Sequence, residues 1–538
     1  MTPPDPPAPN RRRAIVIALG IAAACAFPAI YLAAHRVSLV GVVPESLGYR
    51  YFMSLRILEG GGDFVFIIQG QTLTVAQHAI QLALSHLIGL PVTDLATRLD
   101  AFGYATLALN AALMGAVLVL GFGDGRLSGI DRWLVGTVAI SAVYSSRSGL
   151  SAAMTPDYYF TEAAFTVLAL VVFLRQARGT PADGVGGAAT LGFIAGLMAA
   201  TKLTLVLGGV VAAAPMLLAA RSSAARLARV ASIFAATVVA TFLLVTATFY
   251  LFDLHALAES LHRWLKFVGN PGGDAEFWVT FLAPYLGATN PGADYGYARI
   301  LLVLSSAVVV AAAVLAWRLT RQVHVLLVPL GLTVLGAAHV VGLVRRPAGT
   351  TLYEVVLFAT LAAAASIAVI PRSSARTGLA TAFCAVVLAH AGVSAIANFP
   401  ALLPAEALHA SGRSAWEVHR WLRAQARPVL VYIPDNRYCG GTVEEVLMKG
   451  MSDLPTWNIT TGGALLARVA PGFSFHQRLA SVPPGSAILW LDVPGESLLA
   501  QTPALEDAVA RPGTVCRRWE LATYPHWTHT ATACRVDS

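Results

Sequence analysis

Ionisable side chains are scarce in this sequence, and their positions are informative. Glu45, Arg50, Asp63, Arg98, Asp100, Arg147, Asp157, Lys202, Arg345 and Arg346 each stand near the edge of a long uncharged run. A carboxylate so placed can take a proton from an attacking hydroxyl. An arginine or lysine can hold an anion whose charge grows as a bond breaks. Glu45 and Asp157 are therefore the candidate acid–base groups, and Arg98, Lys202, Arg345 and Arg346 the candidate anion ligands. Tyr285, Asp294 and Tyr297, set among prolines and glycines, offer the aromatic faces and short polar groups that suit a carbohydrate. Each also has a plainer reading. Glu45 fits a solvated loop, Arg98 a partner for Asp94 or Asp100, and Asp157 the start of a helix, where an acid is stabilising. Lys202 fits a side chain snorkelling at a bend, and Arg345-Arg346 a displaced span boundary.

The elements that must position these groups follow from composition. Hydrophobic residues make up 56% of the 538 and charged residues 12%, roughly half the charge of a soluble domain. Runs such as 14–34, 101–122 and 230–252 are uncharged, and about 20 apolar residues cross a bilayer. The chain is predicted to be a polytopic α-helical membrane protein, which excludes a soluble enzyme, a secreted scaffold, a disordered protein and a coiled coil. The net charge of +8 sits in short basic clusters between apolar runs. It reads as an orientation signal obeying the positive-inside rule, with no nucleic-acid partner.

Residues 1–13, with five prolines before Arg11–Arg13, read as a disordered cytoplasmic tail. The run after them is a retained first span or an uncleaved signal anchor, which look alike in sequence. Placing Arg126/Arg132, Arg175/Arg178, Arg221/Arg226/Arg229, Arg318/Arg321 and Arg372/Arg376 in the cytoplasm predicts about eleven spans. They fall near 14–34, 101–122, 133–150, 157–174, 187–201, 203–220, 230–252, 300–317, 325–344, 351–370 and 377–397. Residues 187–220 then form a hairpin with Lys202 at its outer bend. An amphipathic stretch near 74–90 is placed at the interface of a first outer loop, 35–100. A second outer loop spans 253–299.

Residues 398–538 change character, with strand-like runs at Val429–Ile433 and Ala487–Leu491 and a helix-like Thr442–Lys449 between them. They are predicted to be a small extracytoplasmic α/β domain following the membrane domain of 14–397. A terminal hairpin, Val515–Leu521 then Thr528–Val536, would bring Cys516 near Cys534, as a disulfide or as two thiols, with Cys439 left over. The five cysteines show neither CxxC spacing nor a nearby histidine pair, so no metal site is implied. Asn458-Ile459-Thr460 matches a sequon too short to weigh.

With the exception of Glu162, the span centres carry almost no charge, and the ionisable residues gather toward the outer ends. That pattern fits chemistry at the outer surface better than ion-coupled transport, which buries charge at mid-span. Comparison of the two halves reveals no inverted repeat.

Four motifs, in order, carry a resemblance. The first is Val43-Pro44-Glu45-Ser46-Leu47-Gly48-Tyr49, followed by Leu55-Arg56-Ile57-Leu58-Glu59-Gly60-Gly61-Gly62-Asp63-Phe64. The others are Arg98-Leu99, Thr155-Pro156-Asp157, and Gly192-Phe193-Ile194-Ala195-Gly196-Leu197-Met198-Ala199-Ala200-Thr201-Lys202. Over roughly residues 10–260 the chain resembles GT-C membrane glycosyltransferases of the protein-mannosyltransferase and lipid A aminoarabinose-transferase type. The resemblance implies an inverting transfer, at the outer face of a bacterial cytoplasmic membrane, from a polyprenyl-phosphate sugar to an envelope glycan, lipid or protein. The lipid-linked sugar is the donor substrate, and no other cofactor is called for. The resemblance assigns Glu45 as base, with Tyr49 beside it, and Arg98 and Lys202 to the donor phosphate. The family usually has Asp-Glu where this chain has Pro44-Glu45, so either Glu45 has taken the catalytic role or the chain binds its lipid without catalysis. A flippase for a lipid-linked intermediate is the alternative from another class.

Overall fold

The computed structural model describes residues 11–39, 72–87, 95–156, 159–178, 185–202, 205–221, 223–249, 293–322, 326–345, 349–402, 405–432, 472–476, 478–492, 497–523 and 527–537. It adds isolated positions between residues 40 and 71 and between 250 and 292, among them Tyr51. The chain starts with α1 (Arg11–Ala34), α2 (Thr72–Leu87), α3 (Leu95–Gly123) and α4 (Gly129–Tyr144). There follow α5 (Arg147–Met154), α6 (Tyr159–Arg178), α7 (Val185–Thr201), α8 (Val206–Ala220) and α9 (Ala224–Phe249). After the second outer loop come α10 (Ala293–Thr320), α11 (Leu327–Arg345), α12 (Gly349–Val369) and α13 (Ser374–Leu402). Six of the described helices, α1, α3, α6, α9, α10 and α13, are long and apolar enough to cross a membrane. Helices α7 and α8 and parts of α11 and α12 are shorter apolar segments. A helix lies at every one of the eleven stretches read as spans, and α2 lies at the amphipathic one.

One stretch differs from its expected form. Residues 133–150 are not one helix, because α4 ends at Tyr144 and α5 starts at Arg147. Ser146 caps α5 by accepting from the Gly149 amide at 3.0 Å, the usual serine role at a helix start. Gly149 is needed there, since a β-carbon would stand 2.6 Å from the Ala142 carbonyl oxygen. The chain therefore turns back against the end of α4.

The glycines of α7 bring helices together. A β-carbon on Gly192 would lie 2.6 Å from the Phe234 carbonyl oxygen, and one on Gly196 2.8 Å from that of Val238. Backbone-close approach through small residues is the packing that apolar surroundings favour. On α8, Gly209 meets Ala195 of α7 in the same way. So α7 is clamped between α8 and α9, and its last residue delivers Lys202 to a fixed place.

The described contacts separate two ends. At one, Arg178 closes α6 onto Asp131 of α4 with bonds of 3.2 and 3.1 Å and also donates to the Ala368 carbonyl of α12. Arg376 of α13 pairs with the same aspartate, and Arg175 meets Asp124 at 2.7 Å. Arg132 donates to the Asp124 carbonyl at 3.0 Å, so members of three basic clusters assigned to one side meet at one end. At the other end, Tyr104 near the start of α3 donates to carbonyls just after the turn and in the last turn of α1. Helix α1 stops there with Arg36 in the left-handed region (φ 51°) and Val37 donating to the Leu32 carbonyl at 3.1 Å, a Schellman-type termination.

Helix α14 (Ala405–Ala424) leads into a five-stranded sheet: β1 (Val429–Tyr432), β2 (Phe473–His476), β3 (Ala487–Asp492), β4 (Val515–Thr523) and β5 (Trp527–Arg535). The order is β2-β1-β3-β5-β4, with β1 parallel to β2 and β3 and the rest antiparallel. Short helices α15 (Leu498–Gln501) and α16 (Pro503–Ala510) supply Leu498, Leu505 and Ala508 to a core over Ile488 and Trp490. Helix α14 contributes the Trp421–Trp519 ring contact with β4. Cys516 and Cys534 are register partners and form a disulfide. Cys25 and Cys384 are buried thiols, and Cys439 and Thr442–Lys449 lie outside the described residues.

Candidate functional site

The end of the bundle where α1 terminates holds a cluster of buried charge. Its centre is Lys202, immediately after α7 and buried at 4% exposure. The ammonium lies 3.0 Å from a Glu162 carboxylate oxygen, one turn into α6, and pairs with Glu354, near the start of α12. Both carboxylates are buried, and Tyr353 beside Glu354 is within electrostatic range of Glu162 and Lys202. Charges in so apolar a setting persist only when paired. One lysine therefore ties the end of α7 to two other helices, the farther partner 152 residues away in sequence. Lys202 does not snorkel to the surface, and its charge is already met by two carboxylates.

At the same end of the bundle the residues that follow α1 are tied down. Arg98, exposed at the start of α3, hydrogen-bonds Tyr51, whose ring packs edge-on against Phe102. Burial raises the Tyr51 hydroxyl above its ordinary range, and the guanidinium opposes that shift. The phenol is accordingly neutral, and it braces the arginine without carrying charge. Asp100 serves the backbone: it accepts from the Leu39 amide at 2.8 Å and from the Ser38 hydroxyl at 3.3 Å. Helix α2 packs alongside, with buried His78 edge-on to Phe102.

Of the residues given a catalytic or binding role from the sequence, Arg98 and Lys202 are the two whose side chains are described. They stand at the same end with different partners, Tyr51 for one and Glu162 and Glu354 for the other. Arg345 is the last residue of α11. Glu45, Tyr49, Asp157, Tyr285 and Arg346 lie outside the described residues. The sequence reading missed Glu354, and it noted Glu162 without giving it a role. The available signal was simple: each is the sole acid in an otherwise uncharged stretch, and such a residue needs a partner. Among the described residues no group of three histidines, cysteines or acids could hold a metal ion.

No protein-family model matches this sequence, and no curated protein matches it. Among solved structures, the chain is similar to the crystal structure of ArnT from Cupriavidus metallidurans bound to undecaprenyl phosphate. The two share 14% sequence identity, with a TM-score of 0.47 over 96% of this chain and 97% of that one.

Proposed function

We propose that this chain is an inverting glycosyltransferase that moves a sugar from a polyprenyl-phosphate donor to a cell-envelope acceptor. It works at the outer face of a bacterial cytoplasmic membrane, with the Lys202 end outward. The carrying observation is the polarity of the charge. At one end Asp131 and Asp124 are each held by arginines. At the other, Arg98, Asp100, Glu162, Lys202 and Glu354 collect where the first outer loop begins and the C-terminal sheet is fastened. The four motifs of the resemblance fall on the first loop and on the elements of that same end.

In this reading Glu45 takes the proton of the acceptor hydroxyl as its oxygen attacks the anomeric carbon. The bond from that carbon to the phosphate oxygen breaks, and the polyprenyl phosphate leaves with the electron pair, so the single displacement inverts the centre. Arg98, braced by Tyr51, is the fixed cation for the growing phosphate charge. Lys202, its ammonium engaged by two carboxylates, builds the wall of the site by fixing α6, α7 and α12. Asp157 is a second acid at the site, Tyr49 and Tyr285 offer aromatic faces to the sugar, and Arg345 and Arg346 offer further anion contacts.

The test is direct. Purified protein in lipid nanodiscs, given polyprenyl-phosphate sugars and envelope extracts, should transfer a sugar. Glu45→Gln should lower turnover by roughly 10²–10⁴-fold while donor binding survives. Mass spectrometry of envelope glycans should show one modification lost when the protein is absent. Unchanged glycans, together with protein-dependent movement of a labelled polyprenyl phosphate across vesicle membranes, would replace this reading with that of a flippase.

A further inference from the structure

We propose that the C-terminal unit is a positioning element for the first outer loop, acting through the indole of Trp416. Three consecutive residues after α1 are each held by a different group. Val37 gives its carbonyl to the Tyr104 hydroxyl at 2.5 Å, and Leu39 gives its amide to Asp100 at 2.8 Å. Ser38 lies between them, and its hydroxyl has two partners. It donates to Asp100 at 3.3 Å and accepts the Trp416 indole N–H at 2.9 Å. A hydroxyl has one proton to give and lone pairs to receive, so the direction of this relay is set: indole to serine to carboxylate. It ends on a carboxylate, and a hydrogen bond to a charged acceptor is stronger than a neutral one.

The other end of the relay is anchored in the sheet. Trp416 packs edge-on against His419 at 5.7 Å, and His419 stacks on Phe473 of β2 at 5.9 Å. Arg423, one turn on, covers the same phenylalanine ring at 5.4 Å. Val37 and Leu39 are buried, so the described start of the loop is anchored on both sides of Ser38. Glu45 is six residues beyond Leu39. A shift of the sheet against the bundle therefore pulls on the root of the loop that carries the proposed base. The inference rests on the glycosyltransferase reading only where it names that loop as catalytic.

The experiment uses the full chain in nanodiscs and measures hydrogen exchange of the Val37–Leu39 amides. Trp416→Phe keeps an aromatic ring and removes the donor. Exchange at these amides should rise about 5–10-fold, the loss of one partly buried hydrogen bond. Ser38→Ala should do the same, and the double variant should add nothing to Ser38→Ala. Trp421→Phe alters a neighbouring indole on α14 that contacts Trp519 instead, and it should leave these amides unchanged. No rise in either Trp416→Phe or Ser38→Ala, or an equal rise in Trp421→Phe, overturns the proposal. With a transferring wild type, Trp416→Phe should lower kcat and spare the donor KM, and an unaltered kcat would overturn the link to catalysis. A wild type that transfers no sugar defeats the function reading alone, since exchange still decides the positioning.

Discussion

Removing the Lys202 ammonium would leave Glu162 and Glu354 facing one another in an apolar bundle. Breaking a buried ion pair typically costs about 3–5 kcal/mol, because the remaining charge keeps its desolvation penalty. Lys202→Ala should therefore lower thermal stability in detergent by several degrees or more. Adding Glu354→Gln to it should recover part of the loss, since one carboxylate then stands without a like-charged neighbour. A scanning unfolding assay on both variants reads this directly, and a fully additive pair would contradict the node. The same residue shows where sequence reading stops. Lys202 stood out because it interrupts a hydrophobic hairpin, but its partners lie in two other helices. Glu354 was masked by the apolar residues around it, and only three-dimensional proximity reveals the pair.

Between helices, the α7 glycines make a prediction about packing. A methyl at Gly196 would stand 2.5 Å from the Thr241 β-carbon and 2.8 Å from the Val238 carbonyl oxygen. Gly196→Ala should thus force α7 and α9 apart at a cost of about 1–3 kcal/mol, seen as a lower unfolding temperature. Gly186, with nothing within 4 Å of its β-position, should tolerate alanine. In the sheet, Cys516→Ser should cost the exported protein about 2–5 kcal/mol through loss of the cross-link. Thiol labelling of Cys534 in unreduced wild type would count against the bond. The helices were legible because each span repeats one signal, absence of charge over a membrane's width. The α4–α5 break was not, because Ser145-Ser146 sits as comfortably in a span as at a cap. Strands β1 and β3 announced themselves as short apolar runs and β4 and β5 as a terminal hairpin, whereas β2 has four residues and needs β1 to define it.

The whole molecule has a direction. Contacts alone bring the Arg178 and Arg376 clusters to one end and Lys202, the end of α1 and the sheet to the other. If basic clusters face the cytoplasm, a reporter fused after Ser538 should be active only outside it and one after Arg226 only inside. A cytoplasmic reporter signal after Ser538 would reverse the molecule and place the proposed chemistry on the wrong face. The split between ends was legible from arginine spacing. The fastening of the sheet to the first loop was not, because it depends on one indole meeting one serine 378 residues away.

Strand β5 lies between β3 and β4, yet it follows both in sequence. The sheet can therefore be completed only after Trp527–Arg535 has been made and has inserted between them. Until then the buried face of β3 and the edge of β4 wait without their common neighbour, and such unpaired strands invite association with other chains. Deleting Trp527–Arg535 would remove only 9 residues. It would nonetheless separate β4 from the sheet and strip the cross-link of its second cysteine. A lesion confined to one strand thus has the reach of a domain deletion, because that strand closes both the sheet and the cross-link.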